Sequence, residues 1–205
     1  MLRSVREFEN VRVRLSDGQP CGRVKDVYID DQTWTVRFLK VSLDPLRFGH
    51  KQILVTPEQV TSFADEICQL NIGEAELHFC PLDSSYLPVC RQYASFSSPG
   101  VRASHQFGRE ADPHLRSARA IRSYSLHAGA EPAGIAADLL IEVKDWRVQY
   151  ISVEQVEEKK RVCFLIHPEN IERISWSTQR MLVRSLEPVL SHSEVEPIPL
   201  EIAVA

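Results

Sequence analysis

The sequence predicts an all-β fold with short helices, built as two tandem small β-barrels of about six strands each. Three observations predict it. The chain contains an internal repeat; apolar residues alternate with polar ones at period two through both copies; and the phase of that alternation slips by one residue at the same place in each.

The repeat comes first because it sets the boundaries. Leu2-Arg3-Ser4-Val5-Arg6 recurs as Leu115-Arg116-Ser117-Ala118-Arg119. Gly22, Asp26, Ile29, Trp34, Val36 and Val41 recur as Gly134, Asp138, Ile141, Trp146, Val148 and Val153, and Pro57-Glu58 recurs as Pro168-Glu169. The offset drifts only from 113 to 111, which places one-residue insertions or deletions in loops. The expected organisation is a first copy over 1–80, a linker or ordered wrap over 81–114, a second copy over 115–187 and a tail over 188–205. Ser, Pro and Gly punctuate the 81–114 segment without sustained periodicity, and three prolines interrupt the tail.

Within the first copy, Val11, Val13 and Leu15 alternate with Arg12 and Arg14, and Ser16-Asp17-Gly18 supplies a turn. Val27 and Ile29 form the next apolar stripe, Asp30 to Thr33 a hairpin loop, and Trp34, Val36 and Phe38 the following strand. The stripe then continues as Leu39, Val41 and Leu43. The second copy shifts in the same way, from Trp146, Val148 and Tyr150 to Ile151 and Val153. A shared slip predicts a bulge or sharp bend of the kind small barrels use to close, in preference to a strand buried on both faces. Strands are expected over 52–56 and 162–167, each stopped by a proline that suits one 3₁₀ turn. Two short strands finish each unit, 60–64 with 67–72 and 171–175 with 181–185.

The run from Gly22 to Val41 (Gly22-Arg-Val-Lys-Asp-Val-Tyr-Ile-Asp-Asp-Gln-Thr-Trp-Thr-Val-Arg-Phe-Leu-Lys-Val) resembles the PRC-barrel domain. This is the small β-barrel of the cytoplasmic part of the photosynthetic reaction-centre H subunit and of the ribosome maturation factors. Gly134 to Val153 resembles the same pattern more loosely. The Ile-Leu-Val-Thr-Pro-Glu run ending at Glu58 and the stretch Ile171 to Trp176 resemble the family too. The resemblance covers both copies and implies a fold and a role in protein assemblies. It carries no catalytic signature, and neither the H subunit's membrane anchor nor the maturation factor's RNA-associated domain has a counterpart.

Composition narrows the function classes. Lys plus Arg number 24 and Asp plus Glu 28, a net charge of −4, and the halves 1–102 and 103–205 carry 12 against 13 and 12 against 15. This even mixture argues against direct nucleic-acid binding by a basic face. No apolar run reaches the ~18 residues of a spanning helix, and residues 1–10 have no apolar signal core, so a cytoplasmic protein is expected. Five cysteines, an odd number without CxxC, read as reduced thiols rather than a disulfide framework or zinc ribbon.

No catalytic residue is expected. There is no GxSxG elbow, no GxGxxG and no GxxxxGK[ST] loop. The acidic set Asp17, Asp26, Asp30 and Asp31 lacks EF-hand spacing and reads as solvated turn residues. His50, His78, His105, His114, His127, His167 and His192 are scattered, and His78 with Cys80 offers two of the four ligands a structural zinc needs. Neither cofactor nor metal is therefore expected. Candidate partner contacts are Trp34 and Trp146 after the hairpins, Asp30 and Asp31 at the first hairpin, and Glu157 and Lys160 in the charged run 157–161. For both tryptophans, packing at the end of a barrel is the competing reading.

These features together point to a non-enzymatic protein-binding adaptor or assembly module, with peripheral association to a membrane or photosynthetic complex and homo-oligomerisation as its partner classes. The alternatives are a small-molecule or metal sensor with a site between the barrels and a ribosome-maturation factor.

Overall fold

A computed structural model describes residues 1–64, 66–92, 112–157, 160–186 and 190–193. The chain is all-β with short helices, and its strands form two sheets. It divides into two compact units: residues 6–119 form one, and residues 1–5 with 120–205 form the other.

In chain order the described elements begin with β1 (Leu2–Ser4) and α1 (Val5–Phe8). There follow β2 (Arg12–Arg14), β3 (Pro20–Asp30), β4 (Val36–Leu43), α2 (Pro45–Phe48), β5 (Gln52–Val55), β6 (Val60–Ala64), β7 (Ile67–Leu70) and α3 (Val89–Gln92). The second set is β8 (Leu115–Ser117), α4 (Ala118–Ile121), β9 (Ser125–Ala128), β10 (Glu131–Glu142), β11 (Arg147–Glu157), β12 (Lys160–Ile166), β13 (Ile171–Ser175), β14 (Arg180–Val183) and β15 (Leu190–Ser193). The prolines act as expected: Pro57–Gln59 and Pro168–Asn170 are 3₁₀ turns after β5 and β12.

In the unit of residues 6–119 the strand order is β5-β4-β3-β2-β7-β6, with β8 also on β3. In the other unit the order β13-β14-β9-β10-β11-β12-β15 repeats that plan and adds β15, with β1 also on β10. The pairings β2 with β7 and β9 with β14 are parallel, and the other ladders are antiparallel. Each core is the inward set of alternating residues. Val13, Leu15, Val27, Ile29, Leu39, Val41 and Val55 fill the first; Leu126, Leu139, Ile141, Ile151, Val153 and Met181 fill the second.

The phase slip has a more specific cause than a bend alone. The ladder does shift register at equivalent places, between Val24/Asp26 and Tyr28/Ile29 in β3 and between Ala136/Asp138 and Leu140/Ile141 in β10. At the slip itself, however, β4 is covered on both sides. Leu39 and Val41 face the main core, whereas Phe38 packs outward with Tyr28, Leu54 and Leu115, under Tyr86. Residues 82–92 and β8 therefore form a second apolar layer. Of the 81–114 segment, the ends 81–92 and 112–114 are described, and Pro81 accepts from the Leu54 N–H at 2.8 Å. Residues 93–111 lie outside the described set, as does all of the tail except 190–193.

The recurring glycine has a steric reason. A Cβ on Gly22 would stand 2.3 Å from the Ser42 carbonyl oxygen, and one on Gly134 would stand 2.8 Å from that of Glu154. Both contacts are with the backbone of the neighbouring strand, which cannot swing aside. Gly22→Ala and Gly134→Ala are each expected to cost roughly 1–3 kcal/mol, as overpacking does. Urea unfolding of the two variants measures this, and an unchanged midpoint would contradict the close approach.

Candidate functional site

The chemistry-bearing residues gather where β3 and β10 present an open edge. β2 pairs only with the start of β3, at Pro20, Gly22 and Arg23. The far end of that edge is covered by β8, with Leu115 opposite Asp30, Arg116 opposite Ile29 and Ser117 opposite Tyr28. In the other unit β1 does the same to β10, with Leu2 opposite Glu142, Arg3 opposite Ile141 and Ser4 opposite Leu140. The recurring Leu-Arg-Ser segment is thus exchanged: each copy's segment completes the sheet of the other copy.

An aspartate receives each serine. Ser117 Oγ donates to Asp26 Oδ2 at 2.6 Å, and Ser4 Oγ donates to Asp138 Oδ2. The same carboxylates accept the next backbone N–H, from Val27 and Leu139, at 2.8 Å each. Asp26 also accepts from the Arg119 N–H. Asp26 is therefore a strand residue committed to an incoming segment, in contrast to the solvated turn residue expected. Burial pushes its carboxyl above the usual range, against the lowering effect of the Ser117, Arg119 and Val27 hydrogen bonds.

The hairpin carboxylates have separate tasks. Asp30 caps its own loop, accepting from the Gln32 and Thr33 N–H groups at 2.9 and 3.0 Å and pairing with Arg37 at 3.1 Å. Asp31 clamps the incoming segment instead, pairing with Arg116 and with His114 Nδ1 at 2.9 Å. Trp34 is buried, 7% exposed, in the left-handed region at φ 55°; Trp146 has the same φ and is half-buried. Glu157 and Lys160 pair at the end of the β11–β12 hairpin, and their side chains lie outside the described set. Among the described residues no three His, Cys, Asp or Glu side chains come together as a metal-holding group. Burial pushes the Cys21 and Cys68 thiols up to about 12, which leaves them protonated and poorly nucleophilic at neutral pH.

A buried carboxylate that sequence reasoning passed over fastens the wrap. Asp83 is 4% exposed, accepts from the Tyr28 hydroxyl at 2.6 Å, and pairs with Lys40 at 3.1 Å and with Arg91. Tyr28 and Lys40 stand on β3 and β4, so the cluster ties residues 82–92 to the outer face of the sheet. The available signal was Lys40, a charge interrupting an apolar strand. Burial alone would raise Asp83, but the Tyr28, Arg91 and Lys40 contacts hold it below the ordinary carboxylate value.

The pH dependence follows from that direction. A lowered folded value makes Asp83 a contributor whose stabilisation is present above the unfolded pKa of about 3.9 and is lost as pH falls through the folded value. Asp83→Asn should flatten the acid limb of the stability profile. Asp83→Ala strands Lys40 and should cost roughly 3 kcal/mol at neutral pH. Urea unfolding across pH 2–7 reads both effects, and a variant profile parallel to the wild type would contradict them. Comparisons with protein-family models and with curated proteins returned no match to this chain.

Proposed function

We propose that this chain is a non-enzymatic protein-binding adaptor or assembly module, made of two closed units of the PRC-barrel kind. The observation that supports it is an apolar tip on the first copy. Leu46 is 99% exposed and Phe79 86% exposed, while the strands behind them are well packed. Arg47 pairs with Glu74, which joins the β4–β5 hairpin tip to the 3₁₀ turn Glu74–Phe79. Leu82, also exposed, bridges to Ile53 of β5. Large exposed apolar side chains thus stand on the β4–β5 tip, on the 3₁₀ turn tied to it by Arg47 and Glu74, and on the segment bridged to β5.

The second copy has the charged run Glu157-Glu158-Lys159-Lys160-Arg161 in the corresponding place. The apolar tip is thus a property of one repeat and not of the shared architecture. Its surroundings define the partner. Arg47, His50, Lys51 and His78 are exposed there. The nearby carboxylates are engaged: Asp44 accepts from the Leu46 N–H, Glu74 pairs with Arg47, and Glu76 accepts from the Gly73 N–H. With Arg47 and Glu74 paired to each other, Lys51 and the Asp44 and Glu76 carboxylates are the charges left beside the tip, so the partner is a protein whose apolar pocket has a rim of mixed charge. The resemblance to the reaction-centre H subunit makes membrane-associated electron-transfer complexes the first place to look for it.

Leu46→Asp combined with Phe79→Asp removes the apolar tip without touching either core. Loss of two central anchors, each worth about 1–2 kcal/mol, corresponds to at least a ~10-fold weaker interaction. Capture from native lysate, compared between wild type and the double variant at matched thermal stability, checks this. Equal capture by the two proteins would overturn the assignment.

A further inference from the structure

We propose that the edge of β10 is a recognition groove for the Leu-Arg-Ser segment whichever chain carries it, and that two copies of this protein assemble by exchanging residues 1–5. The recognition is present twice in one molecule. Leu2-Arg3-Ser4 on β10 and Leu115-Arg116-Ser117 on β3 lie in the same antiparallel register, each with its serine on an aspartate. Both donors come from far away in the sequence: Ser4 and Asp138 are 134 residues apart, Ser117 and Asp26 91. The groove therefore selects a segment by its chemistry, with no help from local connectivity.

Of the two docked segments, β1 is the less buried, although the Met1 amino group pairs with Glu142 and the Met1 carbonyl accepts from the Val143 N–H. Leu115 is 1% exposed and sits in the outer apolar layer, whereas Leu2 is only half-buried. Asp31, which grips His114 and Arg116, has Val143 at the aligned position, and a valine cannot make those contacts. The ladder of β1 has three residue pairs. A strand this short can leave while the rest of the sheet stays folded. Its departure bares the N–H and C=O groups of residues 140–142, an edge that another strand of the same sequence satisfies fully.

A second copy offers the identical segment. The ladder and the Ser4–Asp138 bond are the same in the closed monomer and in the exchanged dimer, so the balance rests on closure entropy and on the chain at Val5–Arg6, where it passes between units. A tethered segment has an effective concentration on the order of millimolar. The closed form accordingly prevails in dilute solution, and exchange grows with protein concentration and after co-refolding.

Leu2 and Glu142 stand directly opposite each other, at a separation a disulfide spans. Full-length L2C and E142C proteins would be unfolded, mixed at about 0.5 mM, near the effective concentration of the tether, refolded together and mildly oxidised. The expected result is a disulfide-linked two-chain species, several-fold above either variant alone and above the two refolded apart. The native cysteines are common to all samples, so the separate refoldings account for them. The double variant L2C/E142C, refolded dilute, should close its disulfide within one chain. If it does so while the mixture stays at background, exchange between copies is overturned. If it fails to close, the docking of β1 on β10 is itself wrong and the proposal falls with it.

Discussion

β3 and β10 are longer than the strands that accompany them. β2 and β9 cover only their beginnings, so the N–H and C=O groups near Tyr28–Asp30 and Leu140–Glu142 would otherwise point at solvent or at nothing. An open edge costs hydrogen bonds and invites foreign strands. This chain pairs it with a three-residue segment from the other copy, fixed by a serine hydroxyl on an aspartate. The aspartate is what makes the arrangement specific. Taking a carboxylate even half out of water is costly unless its oxygens are used, and here each is engaged, one by the incoming serine and one by the backbone of its own strand.

The two copies have diverged around that shared device. In the unit of residues 6–119, the outer face of the sheet carries Tyr28, Phe38 and Leu54, and the wrap that covers them is pinned through Asp83. The aligned positions of the second copy hold Leu140, Tyr150 and Leu165, and Ser152 stands where Lys40 does. The first copy thus keeps a polar anchor and an additional layer, and it also bears the exposed tip at Leu46 and Phe79. One repeat supplies most of the distinctive surface, and the other preserves the plan with fewer additions.

Much of this was legible in the sequence. The period-two stripes located most of the strands, and the prolines located the 3₁₀ turns that follow β5 and β12, because those signals are local. The Leu-Arg-Ser recurrence was visible as well, yet it read as the start of each copy. Nothing within five residues says which of two equivalent edges they will pair with, since strand pairing is a long-range choice between nearly identical partners. Asp26 and Asp138 were visible as a repeated acid. Their role was hidden because the serine hydroxyl that each one receives lies 91 or 134 residues away. Phe38 misled for a related reason: an apolar residue out of phase marks either a bend or a second covered face, and the cover comes from residues 82–92 and β8.

The exchanged segments also set an order in time. During synthesis, β3 emerges long before residues 115–117, so the first sheet stays incomplete until the second copy has begun. The situation of β1 is the reverse. It is made early and has no edge to join until β10 appears, with 134 residues separating Ser4 from Asp138. At about 5–20 residues per second, that interval is on the order of ten seconds. For that time residues 2–4 are an unpaired strand beside a nascent chain, and neighbouring ribosomes on one message hold the matching β10 edges close at hand.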